Sequence, residues 1–244
     1  MSNGGGWLRA LILALGIAVA GWFVGRAATL LRTTDRYVTV KGISEREVQA
    51  DIAIWPLRIN AADDDLAKAH SRIETSVNQT REFLARNGID PNQAQVASFS
   101  VTDARANQYR ADRTAGSRYV INQTLLVRST EPEKIRAATA KIGELVAAGV
   151  VLSSGGEYQQ GGPTFLFSQL NNLKPRMIAE ATARAREAAE QFARDSGSRV
   201  GGIRRANQGT FEILARDQAP GITEAGQLTK TVRVVSTIEY LLEK

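Results

Sequence analysis

Apolar and polar positions follow three patterns along the chain. The first is a block: residues 10–25 hold no charge and no proline, and 7–25 is apolar on every side of a helix. As a helix, 7–25 spans roughly 28 Å, about the hydrocarbon thickness of a bilayer. Trp7 and Trp22–Phe23 mark its two ends, where amphipathic rings favour the headgroup level. Arg9 lies close enough to the boundary to snorkel. The block therefore predicts an uncleaved transmembrane signal anchor, with Trp7, Arg9, Trp22 and Phe23 as its anchoring residues. A buried core helix is the bland alternative, and all-round apolarity argues against it. A cleaved signal peptide is the stronger rival, with Arg9 as the basic region, 11–17 as the apolar region and Ala18-Val19-Ala20 as the cleavage site. Apolar residues resume beyond that site at Trp22, Phe23 and Val24, which favours the anchor.

The second pattern is alternation, the mark of half-buried strands. It predicts strands over 37–42, 48–59, 95–102, 118–128, 150–159, 163–168, 199–214 and 230–242. Pro56 cannot donate to a ladder, so its part of 48–59 is expected at an edge or bulge. Gly201-Gly202 suggests a bulge in 199–214. The third pattern is helical spacing. Asp63-Asp64-Asp65 opens a helix with the stripe Leu66, Ile73, Val77 and Leu84, closed by Asn87-Gly88. Thr130-Glu131-Pro132-Glu133 reads as a capping box before Ile135, Ala138, Ile142 and Leu145, with Gly149 as the stop. Pro175 starts a third helix, with Ile178, Ala181, Ala185, Ala188 and Phe192 on one side and Gly197 after it. The order ββα ββα ββα ββ predicts an α+β fold of antiparallel strand pairs alternating with three helices. The expected organisation is a short tail over 1–6, the anchor over 7–25, a tether over 26–35 and one domain over 36–244.

Composition changes this picture little. The chain has 244 residues, 43% hydrophobic and 23% charged, with no low-complexity run. Without cysteine there is no disulfide, thiolate nucleophile or thiolate metal site. Half of the +6 charge lies within 1–32, which carries Arg9, Arg26 and Arg32 and no acid. That placement makes lipid headgroups the nearer partner and leaves little case for nucleic acid. Orientation stays divided: Arg26, Arg32 and Arg36 after the span favour a cytoplasmic domain, whereas a short tail before one early apolar segment resembles an export signal.

Candidate chemistry is sparse. His70 is the sole histidine; as a metal ligand it would need Asp63, Asp64, Asp65 or Glu74, and no standard zinc set can be assembled. There is no G-x-S-x-G and no phosphate-binding glycine motif. Ser153-Ser154-Gly155-Gly156 is a candidate anion nest, and a plain loop is the simpler reading. Residues 103–118 form a basic hairpin tip with Arg105, Tyr109, Arg110 and Arg113. The sequons at Asn78 and Asn122 fall within a helix and a strand. No catalytic, cofactor-binding or metal site is predicted, and no cofactor.

Several stretches together resemble the SIMPL-domain family of bacterial envelope proteins. They are Tyr37-Val38-Thr39-Val40-Lys41-Gly42 with Ala50-Asp51-Ile52-Ala53; then Asn171, Lys174-Pro175, Ala179-Glu180-Ala181-Thr182, Ala185-Arg186, Ala189 and Phe192-Ala193; and last Val232-Arg233-Val234-Val235. The resemblance implies export to the periplasm, an α+β fold, homo-oligomers that include ring-like forms, and protection under oxidative or envelope stress. It supplies no catalytic residues. The leading expectation is a non-enzymatic protein tethered in the inner membrane that self-assembles in the periplasm. The alternative is a ligand-binding or adaptor module recruiting another envelope protein. A hydrolase using paired carboxylates is the remote third.

Overall fold

The computed structural model describes residues 6–33, 36–106, 116–153 and 162–243, with backbone alone for 6–10 and 27–33. Contacts divide the chain into two compact units. One comprises residues 1–44, 176–211 and 234–244; the other comprises 45–175 and 212–233.

Helix α1 (Gly6–Thr33) is continuous. Among the described residues, no helix is long and apolar enough to cross a membrane. The transmembrane anchor expected over 7–25 is corrected on that finding. The single-pass inner-membrane tether and the bilayer partner built on it fall with it. The side chains of Trp7 and Arg9 lie outside the described residues. Trp22 and Phe23 are exposed and meet edge to face at 5.2 Å, and the Arg26 guanidinium lies 5.3 Å from the Trp22 ring centre.

In the first unit the chain forms most of β1 (Tyr37–Gln49), α5 (Leu170–Asp195), β7 (Arg199–Gln208) and the end of β9 (Thr229–Glu243). The strand order is β1-β9-β7. Val38, Val40, Ile238 and Tyr240 alternate onto one face, where Ala185 and Ala189 of α5 complete the core. The buried row of α5 is Met177, Ala181, Ala185, Ala189 and Ala193, a spacing of four. Phe192, expected in the stripe, is 62% exposed. The row is small because β1 approaches very closely at Gly42. A Cβ there would stand 1.8 Å from the Ala181 carbonyl oxygen. The alanines are thus consumed in packing.

Helix α5 starts at Leu170 and carries Pro175 inside it, rather than starting at that proline. A proline so near the start removes only one early helical bond. On its exposed side α5 carries the i,i+4 salt bridges Arg184–Glu180 (2.8 Å) and Arg186–Glu190 (3.0 Å), and Arg194 bonds Gln191. The Gly201-Gly202 bulge is present as register shifts in β7 between Val200 and Arg205.

The second unit holds a five-stranded sheet. Its order is β3 (Ala94–Asp103), β4 (Tyr119–Ser129), β2 (Ile52–Asp63), β5 (Val151–Leu152), and β6 (Thr164–Leu166) also pairs with β2. Among the described residues, two expected hairpins are absent. β1 bonds β9 rather than β2, and β5 and β6 each pair with β2 rather than with each other. Pro56 is therefore not on an edge strand. β5 pairs at Ile59 and Asn60 and β6 at Ile52 to Ile54, so Pro56 falls in the gap between them, where no donor is required.

Helix α2 (Leu66–Arg86) packs on β2 and β4. Its start is set by the Asp65 carboxylate, which accepts from the Ala67 and Lys68 N–H groups. Ile73, Phe83 and Leu84 are buried against Trp55, Leu57, Ile59, Ile121 and Leu125, each contributing about 1.5–3 kcal/mol. The helix expected over 131–149 is two pieces, α3 (Pro132–Ala140) and α4 (Gly143–Ala147). The expected capping box does not form; the Ser129 hydroxyl accepts from the Glu131 N–H instead. β8 (Glu212–Ala215) pairs with the start of β9, so the strand expected over 199–214 is two strands on different parts of β9.

Asp51 ties the exit of β6 to the entry of β2. Its carboxylate accepts from the Ser168 N–H at 2.8 Å and the Ser168 hydroxyl at 2.6 Å. Partial burial pushes the carboxyl up, and the Ser168 bonds outweigh it, holding it below the ordinary 3.8. A depressed folded-state pKa adds stability that is present above the unfolded value and lost as pH falls through the folded one. Wild-type unfolding free energy is expected to drop below about pH 4, and Asp51→Asn to flatten that drop while lowering stability at neutral pH. Urea midpoints from pH 7 to 2 measure both; an unaltered acid slope in the variant would count against the linkage.

Candidate functional site

Strand β3 is the edge of its sheet: among the described residues it pairs with β4 alone. Its register places Val96 opposite Leu125, Phe99 opposite Gln123 and Val101 opposite Ile121. Opposed residues share a face, so these three point to the side on which Leu125 and Ile121 are fully buried. Yet Val96 is 53% exposed, Phe99 50% and Val101 46%. The cause is the position of α2, which covers β2 and β4 and stops short of β3.

The uncovered strip and the helix flank bound a groove. At the α2 start, Leu66, Ala67, His70, Phe99, Val101 and Ile121 line an apolar cavity of about 630 Å³. Through His70 and Phe99 it adjoins a cleft of about 470 Å³, whose polar lining includes Glu74, Asn78, Arg81 and Gln123. Both volumes fall in the usual range of ligand sites. His70 Nδ1 lies 3.6 Å from a Glu74 carboxylate oxygen, and both side chains are more than half exposed. Asp63, Asp64 and Asp65, the other sequence candidates beside His70, are committed elsewhere: Asp64 accepts from the Arg118 main-chain N–H at 3.0 Å. Asp63 pairs with Arg72 at 2.9 Å and Asp65 caps the helix. Among the described residues, no three potential metal ligands gather.

Close in sequence to Leu66 and Val101 lie paired charges. Arg118 donates to Asp103 from Nε (3.2 Å) and Nη2 (3.1 Å), and its N–H bonds Asp64 at 3.0 Å. The Arg118 hydrogen bonds hold the Asp103 carboxyl below its ordinary value. The groove thus offers apolar contact and main-chain hydrogen bonds, with the nearby charges compensated.

A second cavity of about 340 Å³ lies beside Gln49, Glu133, Arg136, Arg216, Asp217 and Gln227. Its charges are also satisfied internally, Arg136 by Glu133 at 2.8 Å and Arg216 by Asp217 at 2.9 Å. Tyr109, Arg110 and Arg113 of the expected basic tip, and Ser154 to Gly156 of the expected nest, lie outside the described residues. Asn78 sits on α2 and Asn122 on β4, where its side chain accepts from Asn60 at 2.8 Å.

Sequence reasoning identified the 95–102 strand but not its exposure. The available signal was composition. Ala94 to Thr102 holds no charged residue and no proline, whereas natural edge strands usually carry such protection.

No curated protein matches the chain. Among solved structures it is similar to the crystal structure of an uncharacterized conserved protein from Listeria innocua, at 12% identity over 78% of this chain and 91% of that one, with a TM-score of 0.18. At that score the likeness bears on neither fold nor function. The model of the SIMPL family, described as a protein of unknown function (DUF541), matches residues 38–238. That match covers both units and most of the sequence, and the chain belongs to the SIMPL family.

Proposed function

We propose that this SIMPL-domain chain is a non-enzymatic binding module that works as an adaptor, holding another molecule in the groove between α2 and β3. The observation that carries the reading is the half exposure of Val96, Phe99 and Val101 on the face where Leu57, Ile59, Ile121 and Leu125 of the neighbouring strands are buried. Leaving such a strip in water forgoes about 25 cal/mol for each Å² of apolar area, a loss recovered when a ligand covers it. The membrane-tethered protein expected from the sequence gives way to this reading, because its tether is corrected.

The test is a titration of the full chain with an environment-sensitive apolar dye. The Phe99→Glu/Val101→Glu variant is expected to lose one dye site per chain while its near-UV circular dichroism stays native. Unchanged dye stoichiometry in that folded variant would overturn the groove as the binding site.

A further inference from the structure

Two of the edge strands, β7 and β3, differ sharply. β7, at the edge of its sheet, carries Arg199, Arg204 and Arg205 and two register shifts. Charges and bulges of that kind prevent another strand from pairing. β3 has neither charge nor proline from Ala94 to Thr102. It has one register shift, between Val96 and Ser98, after which Ser98 to Asp103 run in unbroken register with β4. Among the described residues no strand pairs with its outer edge, which thus presents the main-chain donors and acceptors that β4 does not use, next to a ligand-sized cavity.

Resting on the binding-module reading above, we propose that the occupant is an extended peptide segment of another protein, added antiparallel to β3 as a further strand. Main-chain bonds to an open edge supply affinity, and side-chain pockets supply selectivity. Residues two apart on a strand share a face and stand about 6.8 Å apart. Phe99 lines both pockets, whereas Val101 lines the apolar one alone, so along β3 the apolar pocket lies toward Val101 and the polar one toward Phe99. An antiparallel ligand runs from Val101 toward Phe99. Its first inward side chain enters the cavity of Leu66, Ala67, Val101 and Ile121 and is apolar. Its second inward side chain, two residues later, meets Glu74, Asn78, Arg81 and Gln123 and is polar. The recognised pattern is apolar–any–polar in the N-to-C direction.

The chain has no cysteine, so Ser100→Cys gives one labelling position on β3. Ser100 opposes Asn122, on the face away from the groove, so a polarity-sensitive fluorophore there reports on the strand without filling the pockets. Three synthetic peptides are titrated into the labelled full chain. One is a Thr-rich peptide containing Leu-Thr-Gln, the second contains the reversed order Gln-Thr-Leu, and the third is the first peptide with N-methyl groups on the edge facing β3. The first is expected to bind, the reversed peptide about tenfold more weakly, and the N-methylated one not measurably. Val101→Glu is expected to weaken the first by about tenfold or more. Equal binding of the reversed peptide overturns the orientation, and equal binding of the N-methylated peptide overturns strand addition. If no peptide binds while the dye site persists, this inference fails and the binding module stands; if the dye site is absent too, both fail. Self-association in sedimentation velocity that Val101→Glu abolishes and the peptide does not displace would make a second copy the occupant and overturn the proposal.

Discussion

Gly42→Ala is expected to cost about 3 kcal/mol or more of stability in the first unit. The added Cβ would meet the Ala181 carbonyl oxygen at 1.8 Å and the Ala185 nitrogen at 2.6 Å. Both are main-chain atoms of a helix whose hydrogen bonds hold them in place, so no side chain can swing aside. Either β1 or α5 must shift, and the Val38, Val40, Ala185, Ala189, Ile238 and Tyr240 core opens with it. Amide exchange of residues 181–193 measures the loss directly. Gly143→Ala is the control: no atom lies within 4 Å of its Cβ, and its effect is expected within about 0.5 kcal/mol. If exchange in α5 is as slow in Gly42→Ala as in the control, close approach is not what makes this position glycine.

The second large effect concerns Lys230, whose side chain is fully buried at the start of β9. Its ammonium donates to the Glu224 main-chain oxygen at 2.6 Å and pairs closely with the Glu224 carboxylate. The two partners are not equivalent, because the Glu224 side chain is 36% exposed. Removing the carboxylate leaves a buried ammonium with one carbonyl acceptor, and Glu224→Ala is expected to lose about 3 kcal/mol. Removing the ammonium leaves a carboxylate that water still reaches, and methionine fills much of the lysine volume. Lys230→Met is therefore expected to cost about 1 kcal/mol or less. Urea unfolding followed through Trp55, which is buried in the same unit, ranks the two variants. A larger loss for Lys230→Met would sink the asymmetry.

The loop held by this pair runs from Arg216 to Leu228 and is closed further by Gln227, which exchanges hydrogen bonds with the Asp217 main chain. It supplies much of the lining of the smaller, charge-compensated cavity. A weakened Lys230–Glu224 pair is expected to loosen this loop without reaching the β3 groove, whose residues come from α2, β3 and β4. Binding at the groove and stability at Lys230 are thus separable measurements.

What the sequence determined by itself was local. Asp65 stops the chain before α2 because its carboxylate satisfies free N–H groups, and that chemistry needs no distant partner. Alternation from Thr229 to Glu243 defines a strand wherever it pairs, and the ordered blocks from Val38 onward marked the SIMPL family. Gly42, Lys230 and Val101 were not legible in that way. Each depends on what stands opposite: the Ala181 carbonyl for Gly42, the Glu224 carboxylate for Lys230, and for Val101 a helix that stops short. Pro56 has the same lesson, since it lies in the interior of a sheet in a gap between two short partners that only pairing reveals. Periodicity states which face a side chain takes, and the tertiary structure decides whether that face is covered. At β3 it is not, because α2 spans only β2 and β4, and that difference between an apolar face and a buried one makes the groove.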